Sequence, residues 1–328
     1  MLTLARRRAI LVDGVEVERT PLLVPSFSSK GFPDVAKVVA ATSEVIDGPA
    51  LVSAYDLWHK KVEPPFDFAP LLFLDSGGYE AGRDVELSDV GDREHSPRPW
   101  SRDKHEEVLA GWTPAVPSVL ISYDHPDERL PVADQIDRAR SLAPGRKGIA
   151  REILLKPETT QQRFLQMDTL LQPKHVRALG DFDVIGVTEK EVGNSLLDRM
   201  RNIAHLRRAI DGVGLEQIPI HIFGSLDTVS TPLYFLAGAD IFDGLTWLRY
   251  AFHRGLTIYR HNYAALDLGL NTRAHVVDGR CWFSNYYYMK DMELEMRRFL
   301  STGDFASFEH HSDLFRKAHE SLLEALEG

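Results

Sequence analysis

Eight short apolar segments constrain the fold of this chain more than any other feature of its sequence. In order they are PLLVPSF (21–27), PALVSAY (49–55), LLFLDSG (71–77), SVLISYD (118–124), EILLKP (152–157), FDVIGVT (182–188), IPIHIFG (218–224) and ADIFDGL (239–245). Runs this short and rich in branched residues, bounded by turn residues, read as strands buried on both faces. Most are separated by stretches with helical spacing, including 33–46, 126–143, 189–211 and 225–237. Ser225 suits the N-cap of the last of these helices and Gly238 its stop. Eight buried strands alternating with helices over about 250 residues predict an α/β fold, a (β/α)8 TIM barrel. An open doubly wound sheet is the alternative; the similar character of the strands and the lack of a domain break favour the barrel. Residues 81–116 are polar and acidic, carry Pro97 and Pro99, and read as an insertion after the third strand. The pattern changes beyond residue 250, where 286–303 and 312–326 look helical. The expected organisation is a barrel domain over 1–250 and a C-terminal helical extension, 251–328, packed on it.

Charge and cysteine content narrow the function. The 328 residues include 48 acids and 38 bases, a formal net charge of −10. That excludes a protein coated in basic surface, though not a local basic groove. The stretches 199–208 and 146–151 read either as backbone-phosphate contacts or as solvated faces. The single cysteine, Cys281, excludes an internal disulfide and a multi-cysteine zinc site, and fits a reducing, cytoplasmic setting. Arg6-Arg7-Arg8 is followed by only a short apolar stretch, Ala9 to Val12. A secretory segment needs roughly 7–15 apolar residues there, so no signal peptide is expected. No run approaches the ~20 residues of a membrane span, and no membrane partner is expected.

In such barrels the active site lies at the C-terminal ends of the strands. Strand three ends in Asp75, strand four in Asp124 and strand eight in Asp243. Any one of these could be a helix cap or turn former. Three carboxylates, each directly after apolar residues, instead suggest convergence on one mouth. Gly77-Gly78 and Gly244 could be tight turns only, and Phe223 could be core. Two carboxylates around a small pocket suit glycosyl transfer, one attacking the anomeric carbon and the other handling the leaving group's proton.

The motifs at these positions resemble the tRNA-guanine transglycosylase family. Leu74-Asp75-Ser76-Gly77-Gly78-Tyr79 resembles its T-D-S-G-G-[FY] signature, and Ile241-Phe242-Asp243 its M-F-D signature. Weaker matches follow in the right order: Thr20-Pro21 with Val24-Pro25, Ala54-Tyr55-Asp56-Leu57, Ser122-Tyr123-Asp124, Val184-Ile185-Gly186-Val187 and Ile222-Phe223-Gly224. The resemblance covers roughly residues 18–250. It implies a (β/α)8 barrel that exchanges guanine in nucleic acid for a 7-deazaguanine base. Carried over by position, Asp243 is the expected nucleophile and Asp75 the general acid/base. Asp124 is expected to bind the Watson–Crick edge of the base. Ser76, Gly77, Gly78, Gly186, Val187 and Gly224 are expected to border the base, and Tyr79 and Phe223 to stack on it. Arg249 is expected to hold a phosphate or the sugar.

The sequence also departs from that family. Its tRNA enzymes carry a C-x-C-x-x-C…H zinc motif, and here the region holds only Cys281, in GRCWFSNYYYMKD. No metal or other cofactor is expected; the alternative is a mixed zinc site of Cys281 with His253, His261 or His310. The glutamine of the fifth strand is replaced in Leu155-Lys156-Pro157, which makes Lys156 a candidate base contact. The arginine expected three residues after Arg249 is Phe252, with Arg254 close by, and no RNA-binding domain is appended. These features look more like the branch that places 7-deazaguanines such as preQ0 (7-cyano-7-deazaguanine) into DNA. DNA is the favoured partner over tRNA. A small-nucleoside exchanger or hydrolase and a non-catalytic accessory subunit are the further alternatives, and accessory proteins are a candidate partner class. Retention of both Asp75 and Asp243 speaks against the accessory subunit.

Overall fold

A computed structural model of the protein describes residues 4–82 and 95–327. Its centre is a closed barrel of eight parallel strands. They are β1 (Leu22–Phe27), β2 (Ala50–Ser53), β3 (Leu72–Asp75), β4 (Ser118–Ile121), β5 (Ile149–Leu155), β6 (Val184–Thr188), β7 (Ile220–Phe223) and β8 (Ile241–Gly244). Neighbours pair in sequence order, and β8 closes on β1 with Ile241 opposite Leu22. The barrel prediction holds, and the open sheet is excluded.

The two-residue period of a strand sorts its side chains between two cores. Leu22, Val24, Leu51, Phe73, Val119, Ile121, Ala150, Leu154, Val184 and Ile241 fill the barrel interior. Their neighbours, among them Leu23, Val52, Leu74, Leu120, Ile153, Val187, Ile222 and Phe242, face the helices. An antiparallel hairpin, Ala9–Val12 with Val15–Arg19, brings Ile10 and Val12 into the interior cluster. Beside it Arg8 and Asp240 form a fully buried ion pair at 2.6 Å.

Helix boundaries show where local signals were overruled. The helix Leu196–Gly212 starts in a capping box between Ser195 and Asp198. The next helix begins later than Ser225 suggested. Ser225 donates to the Ile222 carbonyl instead, and Asp227 accepts from the N–H groups of Val229 and Ser230, so the helix runs Ser230–Leu236. Gly238, at φ +102°, follows its end. Of the expected insertion, residues 83–94 lie outside the described residues, and the rest carries the helix Arg102–Gly111.

The C-terminal extension contains more than helices. A short hairpin, Ala251–His253 with Leu256–Ile258, precedes a helix over Ala274–Thr302 and a last helix, Ser312–Glu327. The long helix starts well before residue 286. Its first part carries Val276, Val277 and Gly279, weak helix formers, but Val277, Cys281 and Asn285 are buried, and packing outweighs propensity. This helix lies along the join of β1 and β2. Those strands pair only at Ser26 with Leu51 and Phe27 with Val52. Glu293 accepts the Leu23 N–H at 2.8 Å, and the Tyr286 hydroxyl accepts from the N–H groups of Asp47 and Gly48. Among the described residues no helix is long and apolar enough to cross a membrane.

Candidate active site

The inward parity of the strands delivers polar side chains to the C-terminal mouth. Ser26 ends the inward row of β1, Ser53 that of β2, Asp75 that of β3, Phe223 that of β7 and Asp243 that of β8. A cavity of about 300 Å³ opens there. It is lined by Asp75, Ser76, Gly78, Tyr79, Asp124, Lys156, Phe223, Gly224, Asp243 and Arg249. A larger cavity, about 480 Å³, lies between the helices Arg102–Gly111 and Val132–Arg140 and shares Asp124, Arg129 and Lys156. Neither Asp75 nor Asp243 reaches it, so the smaller cavity is the one equipped for two-carboxylate chemistry.

On one side of the mouth, carboxylates are buried with one another. Burial pushes the Asp75 carboxyl up to about 7, and the neighbouring acids Glu80 and Asp243 add to it. Among the described residues its side-chain bonds are long ones, 3.4 Å from the Ser76 hydroxyl and 3.4 Å from the Gly77 N–H. Glu80 accepts from the hydroxyls of Ser28 and Ser53; burial, then Asp56, raises it to about 7. Asp56 accepts from the Ser29 N–H at 2.7 Å and is raised by burial to about 6. Near neutral pH this side holds protons.

On the other side each carboxylate meets cations. Asp124 Oδ1 is 2.5 Å from Arg129, and its Oδ2 is 3.2 Å from Lys156. Lys156 reaches Glu191 at 2.9 Å and the Thr188 hydroxyl at 2.7 Å, and Arg129 reaches Glu191 at 3.3 Å. Two acids and two bases thus close a ring. Burial alone raises the Asp124 carboxyl, but Lys156 and Arg129 together outweigh it and hold the group below its ordinary value. Burial likewise opposes the Lys156 charge, and Asp124 and Glu191 overcome it.

Asp243 sits between the two sides. Its Oδ2 accepts from the Ser26 hydroxyl at 2.6 Å, and its Oδ1 from the Gly224 N–H at 3.0 Å. Beneath it lies His221, with Nε2 at 3.3 Å from Oδ1 and Nδ1 at 2.9 Å from Glu152. The His221 ring stacks on Phe223, centroids 3.9 Å apart. Tyr79 receives a hydrogen bond from Arg249 at 2.9 Å, and the Lys30 ammonium lies 4.3 Å from the centre of its ring.

Three of the residues expected to border the base do not line the cavity. Gly77, at φ +81°, turns the chain against Tyr55 and Trp100; a Cβ there would lie 2.7 Å from Tyr55. Gly78 does line the cavity, but its missing side chain makes room for Asp124, 2.6 Å from where a Cβ would be. Gly186 faces inward one layer lower, where a Cβ would meet Glu152 and Phe223 at 2.6 Å. Val187 has the opposite parity and packs among the helices. The basic stretch 199–208 is largely committed to the fold: Arg199 pairs with Glu189, Arg201 with Asp198, and Arg207, fully buried, with Asp211. Arg146 donates to the carbonyls of Leu109 and Trp112.

Cys281 is buried in an apolar cluster with Ala251, Tyr263, Ala264 and Val277, and burial pushes its thiol up to about 12. His253 pairs with Asp267 at 3.1 Å. Among the described residues no three His, Cys, Asp or Glu side chains come together as metal ligands. Sequence reasoning missed Glu152, His221, Glu80, Arg129 and Glu191, all of which meet the candidate residues directly or across one contact. Comparison with protein-family models and with curated proteins finds no match to the chain.

Proposed function

We propose that this protein is a base-exchange glycosyltransferase that replaces guanine with a 7-deazaguanine in nucleic acid, DNA before tRNA. The observation that carries the reading is one small cavity holding a carboxyl prepared to give a proton and a carboxylate held to attack. Asp75, raised to about 7 by burial and neighbouring acids, is poised for both protonation states. Asp243 accepts the Gly224 N–H at Oδ1, which also lies 3.3 Å from His221 Nε2, and its Oδ2, bonded among the described residues to Ser26 alone, is the oxygen assigned to attack C1′. As the C1′–Oδ2 bond forms, the electron pair of the glycosidic C–N bond leaves with guanine, and Asp75 supplies the proton that makes guanine a competent leaving group. In the second half Asp75 takes the N9 proton of the incoming base. That nitrogen attacks C1′, and the carboxylate is released. Tyr79 and Phe223 line the cavity and offer ring surface to a flat base. A target base has to leave its stack to enter. Asp124 brings no uncompensated charge to the base, because Arg129 and Lys156 already hold it, but its carboxylate keeps accepting capacity beyond those two bonds. Preference for DNA rests on the sequence, which lacks the zinc motif of the tRNA enzymes.

The test uses DNA or tRNA with labelled guanine, with and without 7-cyano-7-deazaguanine. Release that depends on the added base is expected. Release without it indicates hydrolysis, and no release from either polymer overturns the nucleic-acid reading. Asp243→Ala should abolish the covalent adduct seen by intact mass under acid quench. Full activity in that variant overturns the nucleophile assignment.

A further inference from the structure

His221 and Glu152 are fully buried polar residues in the middle of apolar strands, and neither lines the cavity. A molecule in the pocket meets Asp243 and Phe223 but not the two groups beneath them. Placing a histidine and a glutamate there has an energetic cost unless they are paired. They are paired through Nδ1 and one glutamate oxygen, and charge gives the pairing a direction. The imidazole has carboxylate oxygens at both nitrogens, Glu152 at 2.9 Å from Nδ1 and Asp243 at 3.3 Å from Nε2. Nε2 lies near Oδ1 without a hydrogen bond, so that contact is electrostatic: a neutral ring protonated at Nδ1 would turn a bare lone pair toward Asp243, and only the imidazolium presents positive charge to both carboxylates. Burial opposes that charge, but Glu152 and Asp243 outweigh it and lift the ring to about 9. The remaining faces of the ring are against Phe223 and Phe73, which carry no charge.

We propose that Glu152 and His221 are positioning residues that act through Asp243, with the imidazolium making the Asp243 carboxylate a competent leaving group in the second half of base exchange. The proposal rests on the base-exchange reading. Exchange asks two opposite things of Asp243. It must lose its negative charge when C1′–Oδ2 forms, and regain it when the incoming nitrogen displaces it. Ser26 and Gly224 offer only neutral donors. A carboxylate re-formed in a buried pocket with neutral donors alone is costly, and the glycosyl ester becomes a trap. A cation at Oδ1 favours the charged state, at some expense to attack and to the benefit of departure. Glu152 has a second task, keeping the imidazolium paired while Asp243 is esterified.

The test separates charge from chemistry. Ring ¹⁵N shifts of His221, assigned with His221→Gln, report its charge without any substrate. An imidazolium at pH 7 that titrates well above the ordinary histidine range, and closer to that range in Asp243→Asn, is expected. For chemistry, the adduct is formed on a guanine-containing oligonucleotide in single turnover, then chased with 7-cyano-7-deazaguanine. His221→Gln keeps a neutral donor and should still form adduct, but discharge it roughly 10- to 100-fold more slowly, so that adduct accumulates. Glu152→Gln, nearly isosteric, should slow discharge in the same direction and serves if His221→Gln does not fold. A neutral His221 at pH 7 overturns the proposal. So does an imidazolium in a protein whose variants discharge at the wild-type rate. Wild-type protein that forms no adduct with DNA, tRNA or free nucleosides overturns the base-exchange reading and the leaving-group role with it, whatever the ring shifts show.

Discussion

Asp75 and Asp124 are the same residue type, equally buried, on one cavity; Asp75 is the last residue of β3, and Asp124 lies three residues past the end of the adjacent β4 rather than at the strand end the sequence suggested. Their surroundings are opposite. Asp75 is placed with Glu80 and Asp243 near it and, among the described residues, no cation bonded to it, whereas Asp124 is gripped by Arg129 and Lys156. Burial raises both carboxyls; only on the Asp124 side do cations reverse the sign. The difference teaches that a place at the C-terminal mouth makes a carboxylate available, and that its neighbours decide whether it moves a proton or holds a structure.

The largest expected effect of breaking that contrast comes from Asp75→Asn. It should slow base release by roughly 10²- to 10⁴-fold, measured in single turnover, while oligonucleotide binding stays within a few-fold of wild type. The release step needs Asp75 protonated. Its rate should therefore fall about tenfold per pH unit above about 7, and that limb should vanish in the variant. An unchanged pH profile in Asp75→Asn removes it from the acid role.

Breaking the other side should cost stability. Lys156→Met leaves Asp124 and Glu191 sharing Arg129 in a buried setting, an expected loss of roughly 3 kcal/mol by urea denaturation. Adding Glu191→Gln should restore much of it, because the double variant removes a pair rather than half of one. A single variant as stable as wild type shows that the ring of charges does not hold the fold.

The smallest effect sharpens the sign of the contrast. Asp56, Asp75 and Glu80 have folded values raised to about 6, 7 and 7, against ordinary values of 3.8, 3.8 and 4.5. The folded state then binds more protons than the unfolded state between about pH 4 and 7. The stabilisation from these groups is full below that window and is lost as pH rises through it. Asp124, with its lowered value, behaves oppositely and loses its contribution only as pH falls below 3.8. Glu80→Gln should gain about 1–3 kcal/mol over wild type at pH 8 and nothing at pH 4, read from melting curves at both. A gain of equal size at both pH values means that the glutamate costs stability for a reason other than its charge.

The fold was legible because parallel barrel strands advertise themselves as apolar runs, and eight of them leave few topologies. Asp75, Asp124 and Asp243 were legible as acids ending such runs. Glu152 and His221 were not read, although the signal was present. Each is a polar residue inside an apolar strand, and His221 is two residues before Phe223, Glu152 four before Lys156, so each shares the inward parity of a residue at the mouth. A search confined to strand ends passes over that row. The pairing of Asp124 with Arg129 and Lys156 was hidden for a different reason: Lys156 arrives from another strand, and Arg129 from an irregular loop whose path no spacing rule fixes. Val187 shows the converse error, since adjacency to Gly186 in sequence means the opposite face in a strand.

The strap along β1 has a consequence for synthesis. The hydrogen bond from the Leu23 N–H to Glu293 spans 270 residues of sequence. On a ribosome the first strand of the cylinder emerges almost at once, yet the group that covers its exposed edge arrives near the end of translation. Until then the Leu23 N–H and the β1–β2 join lack that cover, and loop-closure entropy makes this contact a late one. A gene truncated after residue 250 should yield insoluble protein rather than a smaller enzyme.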